Sequence, residues 1–405
     1  MNKAERKRVI TALTNKVNTH AKRKIIGGAD ELFNRYMLRR PSGIMSLDVQ
    51  LRGGLPVAGQ TILAGPEGSG KTFLMYQFMK MNQRIFGENS AVAIAPVEHP
   101  FDHIHCRKMG LLVSVPDQRI EMEQEYRKQL GWPTLTKDEA KYLKVQVGQV
   151  IGISAANMEE MLNIVLECIE KNCFQIVGVD SITAAIPEAQ AKADDVGEWG
   201  QQGLHASILG KFYKYYGPYT TGFEGTDGRN NETTLIFTQQ ARSNKAKASA
   251  NPVMAKYMKD WEASGSSWAG KHHKMVEITV WSGAREKEKA EKGTRANTIA
   301  KTINWEITKG KAGIHEGLVG EVEYSFENFV DVYATILAEG IRHGVLRERN
   351  GLVEAVDPLL NKPIAGIEAQ PYDAFVQQLV NVWPLEEKVR KAIVYAGSGA
   401  MCLYQ

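Results

Sequence analysis

The sequence predicts an α/β fold: a mostly parallel central sheet covered by helices, preceded by a helical leader and followed by a small α/β segment. Three observations carry this expectation. Short apolar runs alternate with amphipathic helical patterns in the first half of residues 41–325. A glycine-rich segment joins one of those runs to the helical pattern after it. Later apolar runs follow one another with no helix between them. Strand–helix alternation gives parallel strands covered on both faces. Strands without crossover helices pair antiparallel, so the sheet is expected to end that way.

At 405 residues the chain exceeds the roughly 250–300 residues at which one core stops growing. One main domain with smaller additions is therefore expected. Residues 1–40 read as a basic helical leader. Up to Lys24 it carries eight Lys or Arg against the single acid Glu5, and Val9, Ile10, Leu13 and Val17 fall at helical spacing. Such a stripe either docks on its own domain or on a neighbouring subunit. Within 41–325 the strand candidates are Thr61–Ala64, Ala91–Val97, Gln149–Ile153, Ile176–Val179, Thr234–Thr238, Met275–Trp281 and Thr298–Thr308. Met158, Met161, Leu162, Val165 and Ile169 mark one intervening helix.

Two segments read as insertions: 114–146, polar and broken at Trp132-Pro133, and 215–232, a loop rich in Gly, Tyr, Thr and Asn. The tail, 326–405, is interrupted by Pro358, Pro363, Pro371 and Pro384 and reads as a small α/β domain.

Composition narrows the function classes. With 43% hydrophobic and 24% charged residues the chain is ordinary for a globular protein. A net charge of +4 does not by itself establish a nucleic-acid partner. Cys106, Cys168, Cys173 and Cys402 form no CxxC pair, so neither zinc nor a disulfide framework is indicated. No run approaches the roughly 20 apolar residues that span a bilayer, and no signal peptide is evident. A soluble, intracellular protein without a membrane partner is expected.

The most specific motif is Gly65-Pro66-Glu67-Gly68-Ser69-Gly70-Lys71-Thr72, which meets the GxxxxGK[ST] pattern at every fixed position. A strand precedes it and a helical pattern (Phe73, Leu74, Phe78) follows, the context that the pattern requires. Glycines let backbone N–H groups approach a triphosphate, and the helix N-terminus adds positive potential. ATP and Mg²⁺ are thus the expected cofactors, with Lys71 reaching the β- and γ-phosphates and Thr72 holding the metal. Asp180 ends a later apolar strand and fits the second metal-side group. By position alone, Glu98 fits two roles: a carboxylate polarising the attacking water, or a surface acid beside the turn at Pro100.

These residues, in this order, resemble the bacterial RecA and phage UvsX recombinases. Ser42-Gly43-Ile44-Met45-Ser46-Leu47-Asp48 and Gly53-Gly54-Leu55-Pro56 are similar to the start of the family's core. Glu98-His99 with Asp102 resembles its Glu-His…Asp motif, Val179-Asp180-Ser181 its metal-site strand, and Leu235–Gln240 the strand ending in a γ-phosphate-sensing Gln. Lys309-Gly310-Lys311 is similar to a Lys-x-Lys pair that reaches a neighbour's ATP. The resemblance spans about 42–325 and implies a RecA-like core with a set of site roles. Glu98 is then the catalytic base, Gln240 the sensor, and Asp102 and His105 contact the base. Lys309 and Lys311 act across the subunit boundary; at i, i+2 on a strand they share a face. Three departures stand out: His105 replaces a Tyr, His272 a Phe, and Glu277 an Arg.

Two segments suit DNA. One, about 188–203, carries Gly197, Trp199, Gly200 and Gly203. The other, about 241–274, holds Arg242, Lys245, Lys247, Lys256, Lys259, Lys271 and Lys274 with Tyr257, Trp261 and Trp268 interleaved. Cations track phosphates and flat rings stack on bases; the bland reading of each is a surface loop. The expected function is ATP-dependent strand exchange by a helical homo-polymer on single-stranded DNA. Homologous double-stranded DNA, single-strand-binding and mediator proteins are the further expected partners, in the cytoplasm of a bacterium or an infected host. The insertions and altered residues point toward a phage-encoded member. The alternative is a hexameric helicase or ring-type motor on the same core.

Overall fold

In this computed structural model the described residues are 3–21, 38–113, 117–143, 148, 150–192, 203–220, 231–243, 261–263, 272–287 and 298–404. Helix α1 (Lys3–Ala21) leads to strand β1 (Leu38–Arg40), α2 (Met45–Gln50) and β2 (Leu55–Pro56). The core then runs β3 (Gln60–Gly65), α3 (Lys71–Phe86), β4 (Val92–Pro96), α4 (His103–Lys108), α5 (Asp117–Gln129), α6 (Lys137–Leu143) and β5 (Val150–Gly152). It continues through α7 (Met158–Lys171), β6 (Ile176–Asp180), α8 (Glu188–Ala191), α9 (Leu204–Thr220), β7 (Thr234–Ser243) and β8 (Trp261–Ala263). Strands β9 (Lys274–Lys287), β10 (Thr298–Gly310) and β11 (Val319–Ser325) complete it.

The main sheet has the order β11-β10-β9-β3-β7-β6-β4-β5, with β8 paired to β7. From β9 to β5 neighbouring strands are parallel; β10 runs antiparallel to both β9 and β11, as expected from the missing crossover helices. This is a mostly parallel α/β sheet flanked by helices.

Alternation along the strands divides the core. Leu63, Val92 and Ile94 face one cluster with Phe73, Leu74 and Phe78 of α3. Ile62, Ala64, Ala93, Ala95, Val177 and Val179 face another with α7 and α9. Period-two side chains explain both faces being apolar on central strands. Helix α7 shows how local signals fix an element. The Asn157 side chain accepts from the Glu160 N–H at 2.8 Å, and Glu160 Oε2 accepts from the Ala156 N–H at 2.6 Å. This exchange satisfies one donor that the first turn leaves open and the N–H of the residue just before the N-cap. Asn172 closes the helix in the left-handed region.

The tail folds as α10 (Val332–Arg342), β12 (Leu346–Arg349), β13 (Leu352–Asp357), β14 (Lys362–Pro363), α11 (Tyr372–Asn381), α12 (Trp383–Ser398) and β15 (Leu403–Tyr404). Its apolar cluster takes in Met45 and Val49 of α2. A buried network fastens the two parts. Arg390 donates to Glu386 at 2.8 Å, and Asp48 accepts from the Ser42 N–H and hydroxyl, each at 2.7 Å.

Three expectations need correction, and one of the two readings left open for the leader is narrowed. The leader does not stay helical to residue 40, because β1 pairs with β2 and β15 and so belongs to a small sheet. Its helix does not bury its stripe on the described part of its own chain: Val9, Ile10 and Leu13 are each more than half exposed. Residues 215–220, read as loop, continue α9, because Tyr216 is fully buried and stacks on Phe212 with centroids 5.6 Å apart. The segment from Ala241 does not open as a loop: β7 runs on to Ser243, and Ala241, Arg242 and Ser243 pair with β8. Among the described residues no helix is long and apolar enough to cross a membrane.

Candidate functional site

The parallel strands end together, and their register sets the site. Gly65 lies opposite Gln240, and Pro96 opposite Asp180. The carboxyl ends of β3, β4, β6 and β7 therefore deliver the phosphate loop, Glu98, Asp180 and Gln240 to one crevice, where open α/β sheets bind ligands.

In the loop, Gly68 and Gly70 have φ of 67° and 105°, values that glycine adopts without strain. A Cβ on Gly65 would meet the Val280 carbonyl at 2.1 Å, so the strand pairing itself demands glycine there. Lys71 begins α3 and turns back to donate to the Gly65 and Pro66 carbonyls at 3.0 and 2.7 Å. Burial pulls its ammonium below the usual lysine range, and Glu98, Asp180 and Glu67 oppose that pull. The Ser69 hydroxyl is buried without a hydrogen-bond partner among the described residues, inside the cradle that a phosphate would fill. Pro66 and Glu67 sit on the outer turn, half-buried and exposed respectively, while Phe73 is buried and edge-on to Tyr324 at 4.9 Å.

The Thr72 hydroxyl donates to Asp180 at 2.7 Å, and the Thr238 hydroxyl donates to the other Asp180 oxygen. Two oxygen donors converging beside a phosphate cradle fit a hard cation such as Mg²⁺. The Gln240 amide donates to Glu98 at 2.6 Å. The backbone N–H of Glu98 donates to the Asp180 carbonyl at 2.9 Å, which ties the two acids' strands together. Glu98 also lies 3.7 Å from His99.

Asp102 and His105 flank the crevice on α4. Asp102 caps that helix by accepting from the His105 N–H at 3.0 Å, a structural use in its own right. The His105 ring meets Phe329 edge-on at 5.3 Å. Several neighbours escape sequence reasoning. Thr238 had a signal, since it lies two residues before Gln240 and so points the same way. Lys301 and Ser282 had none: both donate to the Gly68 carbonyl, at 2.7 and 3.1 Å, from strands far away in sequence. Tyr324 and Phe329 are likewise brought in by the meander and the turn after it.

Lys309 and Lys311 are not in this crevice. Lys309 lies opposite Glu277, which lies opposite Ile62 in the middle of β3, so the pair sits away from the loop, toward the other end of that strand. Lys311 falls just after β10 rather than on it, with its ammonium donating to the His272 carbonyl at 2.7 Å. Of the residues expected to touch DNA, Arg242 is on β7; Trp199, Gly200, Lys245, Lys247, Lys256, Lys259, Trp268 and Lys271 lie outside the described residues.

Comparison with known proteins agrees with this geometry. The family model described as the ATPase KaiC matches residues 40–196. The chain is 28% identical to the RecA protein of Chlorobium chlorochromatii over 176 residues, 42% of this chain and 37% of that protein. It is 26% identical to RecA of Porphyromonas gingivalis over 215 residues, 52% of this chain and 49% of that one. RecA of Rhodospirillum rubrum matches at 26% over 217 residues, 52% of this chain and 45% of the relative. The match thus spans less than half the length of these curated relatives. The chain carries a RecA-like ATPase domain, which implies nucleotide binding, with weak homology to bacterial RecA over about half its length.

Proposed function

We propose that this protein is an ATP-driven DNA strand-exchange recombinase of the RecA/UvsX type, phage-encoded, that polymerises on single-stranded DNA and hydrolyses ATP between subunits. The carrying observation is the distance between the phosphate loop and the Lys309/Lys311 pair. Lys309 stands three strand residues below Gly65 and two strands across from it, and Lys311, beside Met275, lies farther still. That is roughly 10 Å along the strand direction alone, before the loop's own length, and farther than a lysine side chain extends. A lysine pair that completes a phosphate site therefore completes one on another copy. It acts there as the arginine finger does in other P-loop enzymes.

In the reading, backbone N–H groups of Gly65–Thr72 and the Lys71 ammonium hold the triphosphate. Thr72 and Asp180 would hold Mg²⁺, which when bound neutralises phosphate charge. Glu98 takes a proton from the attacking water. Gln240, now bound to Glu98, reports the γ-phosphate and hands the change along β7 to the basic segment that follows it. Coupling of a phosphate contact to an ordering segment is a known switching mode. Arg242, Lys245, Lys247, Lys256, Lys259 and Lys271 would follow the DNA backbone, with Trp199, Gly200 and Trp268 set against the bases. Homologous duplex DNA and single-strand-binding and mediator proteins are the further partners.

Electron microscopy with single-stranded DNA and a non-hydrolysable ATP analogue tests the assembly. Helical filaments are expected; closed six-fold rings would favour the ring-motor alternative instead. Full-rate, DNA-independent hydrolysis by an isolated single subunit would refute the shared site.

A further inference from the structure

Two irregularities in the sheet converge on one carboxylate. Between Gln60 and Thr61 the β9 partner jumps from Lys274 to Val276, leaving Met275 as an extra residue. Between β9 and β10 the pairing jumps from Ile278↔Ile307 to Glu277↔Lys309, leaving Thr308 extra. A bulge shifts the alternation of side chains and re-aims them. In an unbroken strand Lys274 and Glu277, three apart, would face opposite sides. Here the Lys274 ammonium meets Glu277 at 2.5 Å, both side chains being largely buried. Without the second bulge, Thr308 rather than Lys309 would stand opposite Glu277. With it, Lys309 and Glu277 are directly paired across the ladder, with Cβ atoms about 5 Å apart. The Thr308 hydroxyl reaches the Glu277 carbonyl at 3.4 Å. Lys311, two residues on, is anchored to the His272 carbonyl.

Three lysines therefore gather around Glu277 at the end of the sheet that faces away from the phosphate loop. Burial lowers the Lys309 ammonium, and Lys311 and Lys274 lower it further; Glu277 and Glu316 counteract them. Like charges this close repel unless a counter-ion is held among them.

We propose that Glu277 is the positioning residue for Lys309, holding it aimed at a neighbour's terminal phosphate, and that Lys274, paired with Glu277, is a third cation of the same anion site. The inference rests on the cross-subunit reading above. In that reading the phosphate of the adjacent copy arrives as a further anion for the cluster. Glu277 then keeps only Lys274, and Lys309 is released toward the phosphate.

Glu277→Gln keeps the shape and removes the charge. The DNA-stimulated ATPase of the full chain is expected to lose kcat by about tenfold, the scale of one hydrogen bond to a charged group, with KM for ATP little changed. The high-pH limb of its rate profile is expected to move to lower pH, because Lys309 loses its counter-ion. Glu277→Asp is expected to restore most of the rate and the parent pH limb, which a merely structural role would not do. Lys274→Ala is expected to move the same limb the other way, to higher pH, in a properly folded chain, judged by its melting curve, because one cation beside Lys309 is gone. An unchanged rate and pH profile in Glu277→Gln would overturn the proposal. The double variant Lys309→Ala with Lys311→Ala separates the two levels. If it loses stimulation while Glu277→Gln does not, only the positioning role falls. If it keeps full stimulation, the cross-subunit reading itself is wrong.

Discussion

Gln240 spends its amide on Glu98 in this structure, and Lys71 spends its ammonium on two loop carbonyls. Both groups are thus satisfied locally, and a triphosphate must offer each a better partner. Replacing Glu98 with Gln is expected to leave ATP binding intact and to slow hydrolysis by about 10²–10⁴-fold, the usual worth of a general base; phosphate release under single-turnover conditions measures it. A second residue-scale expectation concerns His273, stacked on Tyr213 with centroids 5.6 Å apart. Burial, then Lys311 and His272, holds its pKa below the ordinary histidine value. The unfolded chain then binds more protons in that window, so stability rises with pH through it and is lost as pH falls below about 6.5. His273→Gln is expected to flatten that part of a melting-temperature profile. The residues legible in the sequence were those carried by one short motif or one strand end: the phosphate loop, Glu98, Asp180 and Gln240. Lys301, Ser282, Tyr324 and Phe329 were not, because each joins the site through pairing or packing between segments remote in sequence.

Among the elements, α9 shows where local reading failed and why. Its end contains Gly217 and Pro218, which signal a break, yet Phe212, Tyr213 and Tyr216 are buried against the sheet and hold the helix through them. Tertiary burial overrides propensity here. Tyr216→Ala is expected to lower stability by about 3–5 kcal/mol. The Tyr216 hydroxyl has no partner among the described residues, so Tyr216→Phe is expected to be neutral or stabilising by about 1 kcal/mol. Denaturant melts of both variants check the pair of signs. By contrast, the parallel strands followed from short apolar runs, and α7 from the helical spacing of its apolar residues. The bulges at Met275 and Thr308 had no local signature, since neither site carries the glycine that often marks one.

For the whole molecule, the proposed activity depends on two copies meeting. Lys309→Ala with Lys311→Ala is expected to leave a folded chain whose hydrolysis no longer responds to DNA, measured as the ratio of rates with and without single strands. Binding to those strands is expected to weaken steeply as salt rises, because each neutralised phosphate releases counterions; a titration from low to moderate salt reads the slope.

Strands β9 and β10 touch two places of interest. At one end Ser282 and Lys301 clasp the Gly68 carbonyl of the chain's own phosphate loop. At the other stand Lys309 and Lys311, eight to ten residues away from Lys301, or roughly 26 Å and more for an extended strand. In the proposed polymer this pair of strands is a ruler with one nucleotide at each tip. The gap between successive nucleotides would then be measured out by hydrogen-bonded backbone, a stiff material. Strain arising at one tip would reach the other along the length of the ladder, with no flexible link to absorb it.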